Sequence, residues 1–187
     1  MTGPPGEVLR RALAFARAEV PFAQVVTLDV RGYPVARTAT AFLDDDWSVA
    51  LVHRRTHARL AQVTRDPRVL VVWTGTPAEG ATNEHPHVFD VDALPPRAVM
   101  VRGTARVADD DWTEATYRHH LEAQRAAGHT RAPVRDADRV RTDLVGLQVR
   151  PYRVRLEGFG DGAESFDWVA GPAHDPTDPD HHHGGPR

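Results

Sequence analysis

The chain has 187 residues, 41% of them hydrophobic, and a formal net charge of −3. That length fits about one domain with a real core, and the mild negative charge gives no global case for a nucleic-acid partner. Cysteine is absent, which excludes disulfides and thiolate metal sites and fits a reducing cytoplasm.

The opening residues, "MTGPPGEVLRRALAFARAEV", are broken by charges and lack the pattern of a signal peptide. No apolar run approaches a membrane span, so no membrane partner is expected. All 23 Lys+Arg positions are arginine, and isoleucine is absent too. Lysine and isoleucine codons are AT-rich, so an arginine here can stand where another chain uses lysine.

Residues 6–18 predict a helix, with Val8, Leu9, Ala12, Leu13, Phe15 and Ala16 at helical spacing after "GPPG". "FAQVVTLDV", residues 22–30, predicts a strand. "RGYP" is a turn, with Gly32 free to take positive φ. A second strand follows over residues 35–43, then the acidic turn Asp44–Asp46, then a third strand over 47–53. A helix is expected over 57–65 and a fourth strand over 68–74. Residues 75–96 are rich in Gly, Pro and Ala and predict a long loop.

Residues 97–108 form a fifth strand, with Gly103 marking a bulge or bend. A helix over 110–127 can be capped by Asp110 or Asp111, with Ala115, Tyr117 and Leu121 as its apolar stripe. Residues 131–143 read as polar and irregular. The sixth strand, 144–159, is long and broken by Pro151. One domain over 1–160 is expected, followed by a disordered tail over 161–187. Short strands without regular βαβ alternation argue for an antiparallel barrel. No G-x-G-x-x-G, P-loop or G-x-S-x-G motif occurs.

One stretch concentrates chemistry. "LVHRRTHARLAQVTRDPRV", residues 51–69, sets His53, Arg54, Arg55, Thr56, His57 and Arg59 around a strand-to-helix corner. A helix start offers unpaired N–H groups and partial positive charge. Arginine, histidine and threonine side chains there make an anion site. The bland alternatives are specific. Thr56 can simply cap the helix, Arg59 can pair with Asp66, Arg54 and Arg55 can be solvated surface, and Arg37 can face water from the second strand. "TATA", with Thr38, Ala39 and Thr40, offers small side chains against which a flat ring can lie. Trp73 is a core or interface residue, or the wall of a site. His85, His87, His119 and His120 match no zinc spacing and read as surface histidines, so no metal is expected.

Four strings, in order, resemble the flavin-binding split-barrel group related to pyridoxamine 5'-phosphate oxidase. "TLDVRGYPVART" is similar to its first hairpin, D-x-x-G-x-P between strands. "HRRTHARLAQVTRDPRVLVVW" is similar to its phosphate-binding corner, T-x-x-x-S-R-K then a short helix and N-P-R-V. "RAVMVRGTARVADD" and "LVGLQVRPYRVRLEGFG" resemble its fifth and final strands. The resemblance implies a six-stranded antiparallel Greek-key split β-barrel with peripheral α-helices, working as a homodimer with flavin at the interface. It implies FMN, with a deazaflavin (coenzyme F-420), haem or a bilin in other branches. Carried over by position, Arg59 falls where relatives have a phosphate-binding lysine. His57 falls where serine is common, with Thr56 beside it, and His53 falls where threonine is common. Arg37 opens the segment whose arginine helps hold the phosphate, and Phe42 replaces the lysine that follows in the oxidases themselves. Their strand-five glutamine is replaced by Ala98, and their C-terminal R-L-x-x-R is missing. FMN-dependent oxidation or reduction of a small organic substrate is therefore expected, with no catalytic side chain identifiable. A deazaflavin enzyme would draw on Arg54 and Arg55 for a long acidic tail. A non-catalytic haem protein would draw on His53 or His87.

Overall fold

A computed structural model describes residues 4–20, 22–77, 96–160 and 164–170. Apolar residues recurring at helical spacing build α1, Gly6–Ala14, which runs on through one π-helical turn, Phe15–Glu19. Its buried face is Val8, Ala12, Phe15 and Ala16. Phe15 meets Phe159 edge-on, with ring centroids 5.3 Å apart, and so closes one end of the core.

β1, Ala23–Leu28, alternates buried and exposed residues, as a half-buried strand must. Its turn to β2, Pro34–Ala39, is the one expected: Gly32 has φ +81°, and the Asp29 carboxylate accepts from the backbone of Arg31 and Tyr33. The second expected strand is in fact two. β2 pairs with β1, while β3, Phe42–Leu43, pairs with β4, Val49–Arg54. The chain leaves one edge of the sheet at Ala39 and joins the other three residues later. β5 is Arg68–Pro77, β6 is Pro96–Val107 and β7 is Leu144–Glu157. The ends of the expected 75–96 loop are thus strand, with Pro77 opposite Pro96. The rest of that loop, with His85 and His87, lies outside the described residues.

All pairings are antiparallel, and the strand order is β2-β1-β5-β6-β7-β4-β3. The non-consecutive neighbours β1–β5 and β4–β7 make the connectivity Greek-key in kind. The sheet curls on itself as a split barrel. Its interior is lined by Val25, Leu51, Val71, Trp73, Val99, Val101, Leu147, Val149 and Val154, which places Trp73 in the core. Among the described residues the strand count is eight, not six. Besides β3, the extra strand is β8, Phe166–Val169, which pairs with β7 inside the stretch expected to be tail. Trp168 of β8 packs edge-on against Trp47, so apolar contact holds it to the sheet. Residues 171–187 lie outside the described residues.

Gly103 marks the irregularity the sequence suggested. Pairing shifts between Arg102 and Gly103, where Tyr152 bulges after Pro151, and a Cβ on Gly103 would collide with the Arg150 carbonyl. α3, Asp110–Ala126, is capped by Asp109, whose carboxylate accepts from Trp112 N at 2.7 Å. Neither Asp110 nor Asp111 caps it. Ala115 is exposed, and the anchoring residue is Thr113, fully buried. Its hydroxyl donates to the Asp109 carbonyl and accepts from Gly146 N at 2.9 Å. Gly146 has no side chain because the Trp112 ring occupies that space. Residues expected to be irregular contain α4, Ala137–Asp143, capped by Asp136 and held by buried Val140.

Candidate functional site

The site lies where the barrel splits. β4 delivers His53, paired opposite Val145 of β7. The chain then turns through 55–58, fixed by Arg55 N donating to Asp143 O and His57 N donating to Arg54 O. α2, Arg59–Arg65, begins two residues later than expected, with Ala58 at its N-cap. Thr56 is exposed in the turn and caps nothing, because the helix starts beyond its reach. α2 buries Arg59 and Val63, one turn apart, and is docked by the buried Thr27 hydroxyl donating to Gln62 Oε1 at 2.7 Å.

Arg59 is only 1% exposed and has no carboxylate partner among the described residues. Asp66, the suggested partner, is taken by Arg68 at 2.6 Å. Arg59 Nη1 donates to His53 Nε2 at 2.7 Å, and Nη2 donates to the Arg37 carbonyl at 3.4 Å. The side chain therefore bridges β4 and β2, two strands that do not pair with each other in the sheet. Its Nε–H, also buried, has no acceptor among the described residues. A buried guanidinium without a counter-charge is costly. Burial, and then the charge of Arg37, pull its pKa below the ordinary arginine value.

Arginine has no acceptor, so His53 Nε2 must accept and the ring proton sits on Nδ1. Burial, with the charge of Arg59 added, lowers the His53 pKa to about 4, so the ring is neutral at pH 7. His57 lies 5.3 Å from His53, ring to ring, and its Nδ1 accepts from Arg59 N at 3.3 Å. Its pKa is also lowered, by burial and then by Arg59 and Arg37. The corner thus gathers one fixed cation, a second nearby, and two neutral histidines with N–H groups to donate.

β2 supplies the other wall. Arg37 and Thr38 are exposed, Ala39 is half-buried, and Thr40 follows the strand's end. The Thr38 hydroxyl accepts from Gln24 Nε2 at 2.9 Å. Arg55 belongs elsewhere: its guanidinium pairs with Asp110 and donates to the Arg141 carbonyl, tying the corner to α3 and α4. Arg54 is exposed. The structure therefore brings Arg37, His53, His57 and Arg59 together and leaves Thr56 and Arg54 on the surface.

A cavity of about 260 Å3 lies between α3, β3 and β4, lined among others by Thr40, Phe42 and Val52, on the face of β4 opposite to His53. Sequence reasoning missed it. His120, expected at the surface, is half-buried and stacks on Phe42 with ring centroids 3.3 Å apart and planes 6° apart. The legible trace was the spacing of Tyr117, His120, Leu121 and Gln124, three and four apart along α3.

A family model described as pyridoxamine 5'-phosphate oxidase matches residues 9–157, most of the chain and all of the corner. This chain belongs to the pyridoxamine 5'-phosphate oxidase family. No curated protein matches it. Among solved structures, this family member is similar to a heme binding protein from Mycobacterium smegmatis, with TM-score 0.59 and 20% identity over 91% of this chain. The chain spans 60% of that protein's length. It is similar to a Clostridium acetobutylicum protein related to general stress protein 26, with TM-score 0.58 and 12% identity over 89% of this chain and 96% of that one. A putative pyridoxamine 5'-phosphate oxidase from Listeria innocua aligns with TM-score 0.53 and 14% identity, over 80% of this chain and 98% of that one. At these identities the likeness is one of fold.

Proposed function

We propose that this protein binds FMN through its phosphate at the β4–α2 corner and uses it for redox chemistry on a small organic substrate. The observation that carries this reading is Arg59: a buried guanidinium that has, among the described residues, no acceptor for its Nε–H and no carboxylate beside it. A phosphate supplies both the missing charge and the missing acceptor. Arg59, Arg37 and the N–H groups of His53 and His57 would hold it. The backbone and small side chains of Thr38, Ala39 and Thr40 would lie along the ring. When bound, the flavin supplies hydride transfer. The chain's own part is to anchor the phosphate, fix the ring's position and leave one face open to substrate.

Four of the six β2 residues, Pro34, Ala36, Arg37 and Thr38, are exposed, which leaves this edge of the sheet uncovered in a single chain. A second copy packed on this edge would cover it and complete the cofactor groove, so a homodimer is part of the proposal. A cytoplasmic setting accords with the lack of cysteine, and no helix among the described residues is long and apolar enough to cross a membrane.

Haem is a second reading, because one structural neighbour is named for it. It is disfavoured at His53, whose Nε2 is already engaged by Arg59. A deazaflavin tail would find Arg54 but not Arg55, which Asp110 and Arg141 occupy. Titrating the purified protein with FMN, deazaflavin and haemin in turn, followed by absorbance and fluorescence, separates the three. Saturable FMN binding is expected. Binding of haemin alone would overturn the reading.

A further inference from the structure

The cavity between α3, β3 and β4 has a chemistry distinct from the phosphate corner. Phe42 and His120 form one flat wall by stacking, and Val52, Leu121 and Leu144 supply apolar surface. Among its lining residues the one arginine, Arg135, is neutralised: Nη1 meets Asp143 Oδ2 at 2.8 Å. The Tyr117 hydroxyl is used in both directions, donating to Pro133 O at 2.7 Å and accepting from Arg135 N at 3.0 Å. Thr40 and Gln124 remain as polar groups that can orient a ligand without carrying charge. His120 is held neutral at pH 7 by burial, with His119 adding to the effect, and brings its pKa to about 4.

A flat apolar wall, a few uncharged polar groups and no spare cation describe a pocket for a neutral ring. An anion entering here would be desolvated with nothing to pair it. We propose that this cavity binds a flat, uncharged aromatic molecule and excludes phosphorylated ones. Thr40 ends the stretch that begins at Arg37, so one end of the cavity lies near the proposed ring-binding segment, while Val52 and His53, successive in β4, point to opposite faces of the sheet. That the occupant is the flavin's substrate rests on the reading above. The preference for a neutral ring does not.

The test compares 2-naphthol with 2-naphthyl phosphate on the full chain, in excess inorganic phosphate so that the ester gains nothing at Arg59. Affinity is measured by calorimetry, and the site by the NMR shift of the His120 ring. At least ten-fold tighter binding of 2-naphthol is expected, with a His120 shift. Phe42→Leu should weaken 2-naphthol. Phe42→Lys, or Gln124→Lys at the rim should the first fail to fold, should shift the preference toward the ester. Equal or tighter binding of the ester by the unaltered protein, or 2-naphthol binding that leaves His120 unmoved, overturns the proposal. FMN titrated into parallel samples without added phosphate keeps the two readings apart. FMN binding without 2-naphthol binding sinks the cavity proposal alone. Binding of 2-naphthol without FMN supports the cavity and removes the flavin reading.

Discussion

At the scale of the residue, Arg59 organises the site. It is the point where a buried cation, a helix start and the gap between β2 and β4 coincide. Its guanidinium suits phosphate because planar N–H groups meet two oxygens at once. A charge-assisted hydrogen bond in such a setting contributes about 1.5–3 kcal/mol. Arg59→Ala should therefore weaken FMN binding by about 10- to 100-fold, read by fluorescence titration. The histidines give a second prediction. His53 and His120 both have folded-state pKa values near 4, below the ordinary histidine value of 6.5. The unfolded chain thus binds more protons between pH 6.5 and 4, so stability is full above that window and falls as pH drops through it. Each histidine contributes at most about 1.4 kcal/mol per pH unit, less where solvent screens it. Urea unfolding at stepped pH should show this slope, and His53→Gln should flatten part of it.

At the scale of the element, the corner and the cavity depend on how two helices, α2 and α3, dock. α3 approaches the sheet closely only because residue 146 has no side chain. Gly146→Ala would place a Cβ 2.5 Å from the Trp112 ring and 3.0 Å from the Thr113 hydroxyl. Overpacking of this kind costs about 1–3 kcal/mol. A lowered melting temperature is expected, with FMN affinity largely kept, since α2 is docked separately through Thr27 and Gln62. Sequence patterns announced the elements that rest on local rules. The Gly32 turn, the Gly103 bulge, α1 and the long strands follow from periodicity and backbone freedom. What escaped depends on distant contact. β8 exists because Trp168 finds Trp47, and α4 because Val140 finds the core. The β2–β3 break follows from pairing with different edges, which no local pattern encodes. Likewise Arg59, His53 and His57 were legible as neighbours at one strand-to-helix corner. The Phe42–His120 wall was not, because its two residues are 78 positions apart in the chain (120 minus 42).

At the scale of the molecule, an eight-stranded split sheet leaves one edge, β2, with most of its residues open to solvent beside the β4–α2 corner. Edge strands of this kind invite pairing or packing with another chain. Sedimentation equilibrium should return a mass near twice the 20.7 kDa of one chain. A single-chain mass at micromolar concentration would contradict the dimer. The central claim is that the phosphate, held by Arg59, carries cofactor binding. Riboflavin has the same ring as FMN and lacks the phosphate, so the two affinities, measured side by side on the unaltered protein and on Arg59→Ala, test that claim most directly. The unaltered protein should prefer FMN by about 10-fold or more, as expected for losing a charge-assisted contact, and Arg59→Ala should level the two. Equal affinities for FMN and riboflavin in the unaltered protein, or an FMN preference that survives in Arg59→Ala, would contradict it.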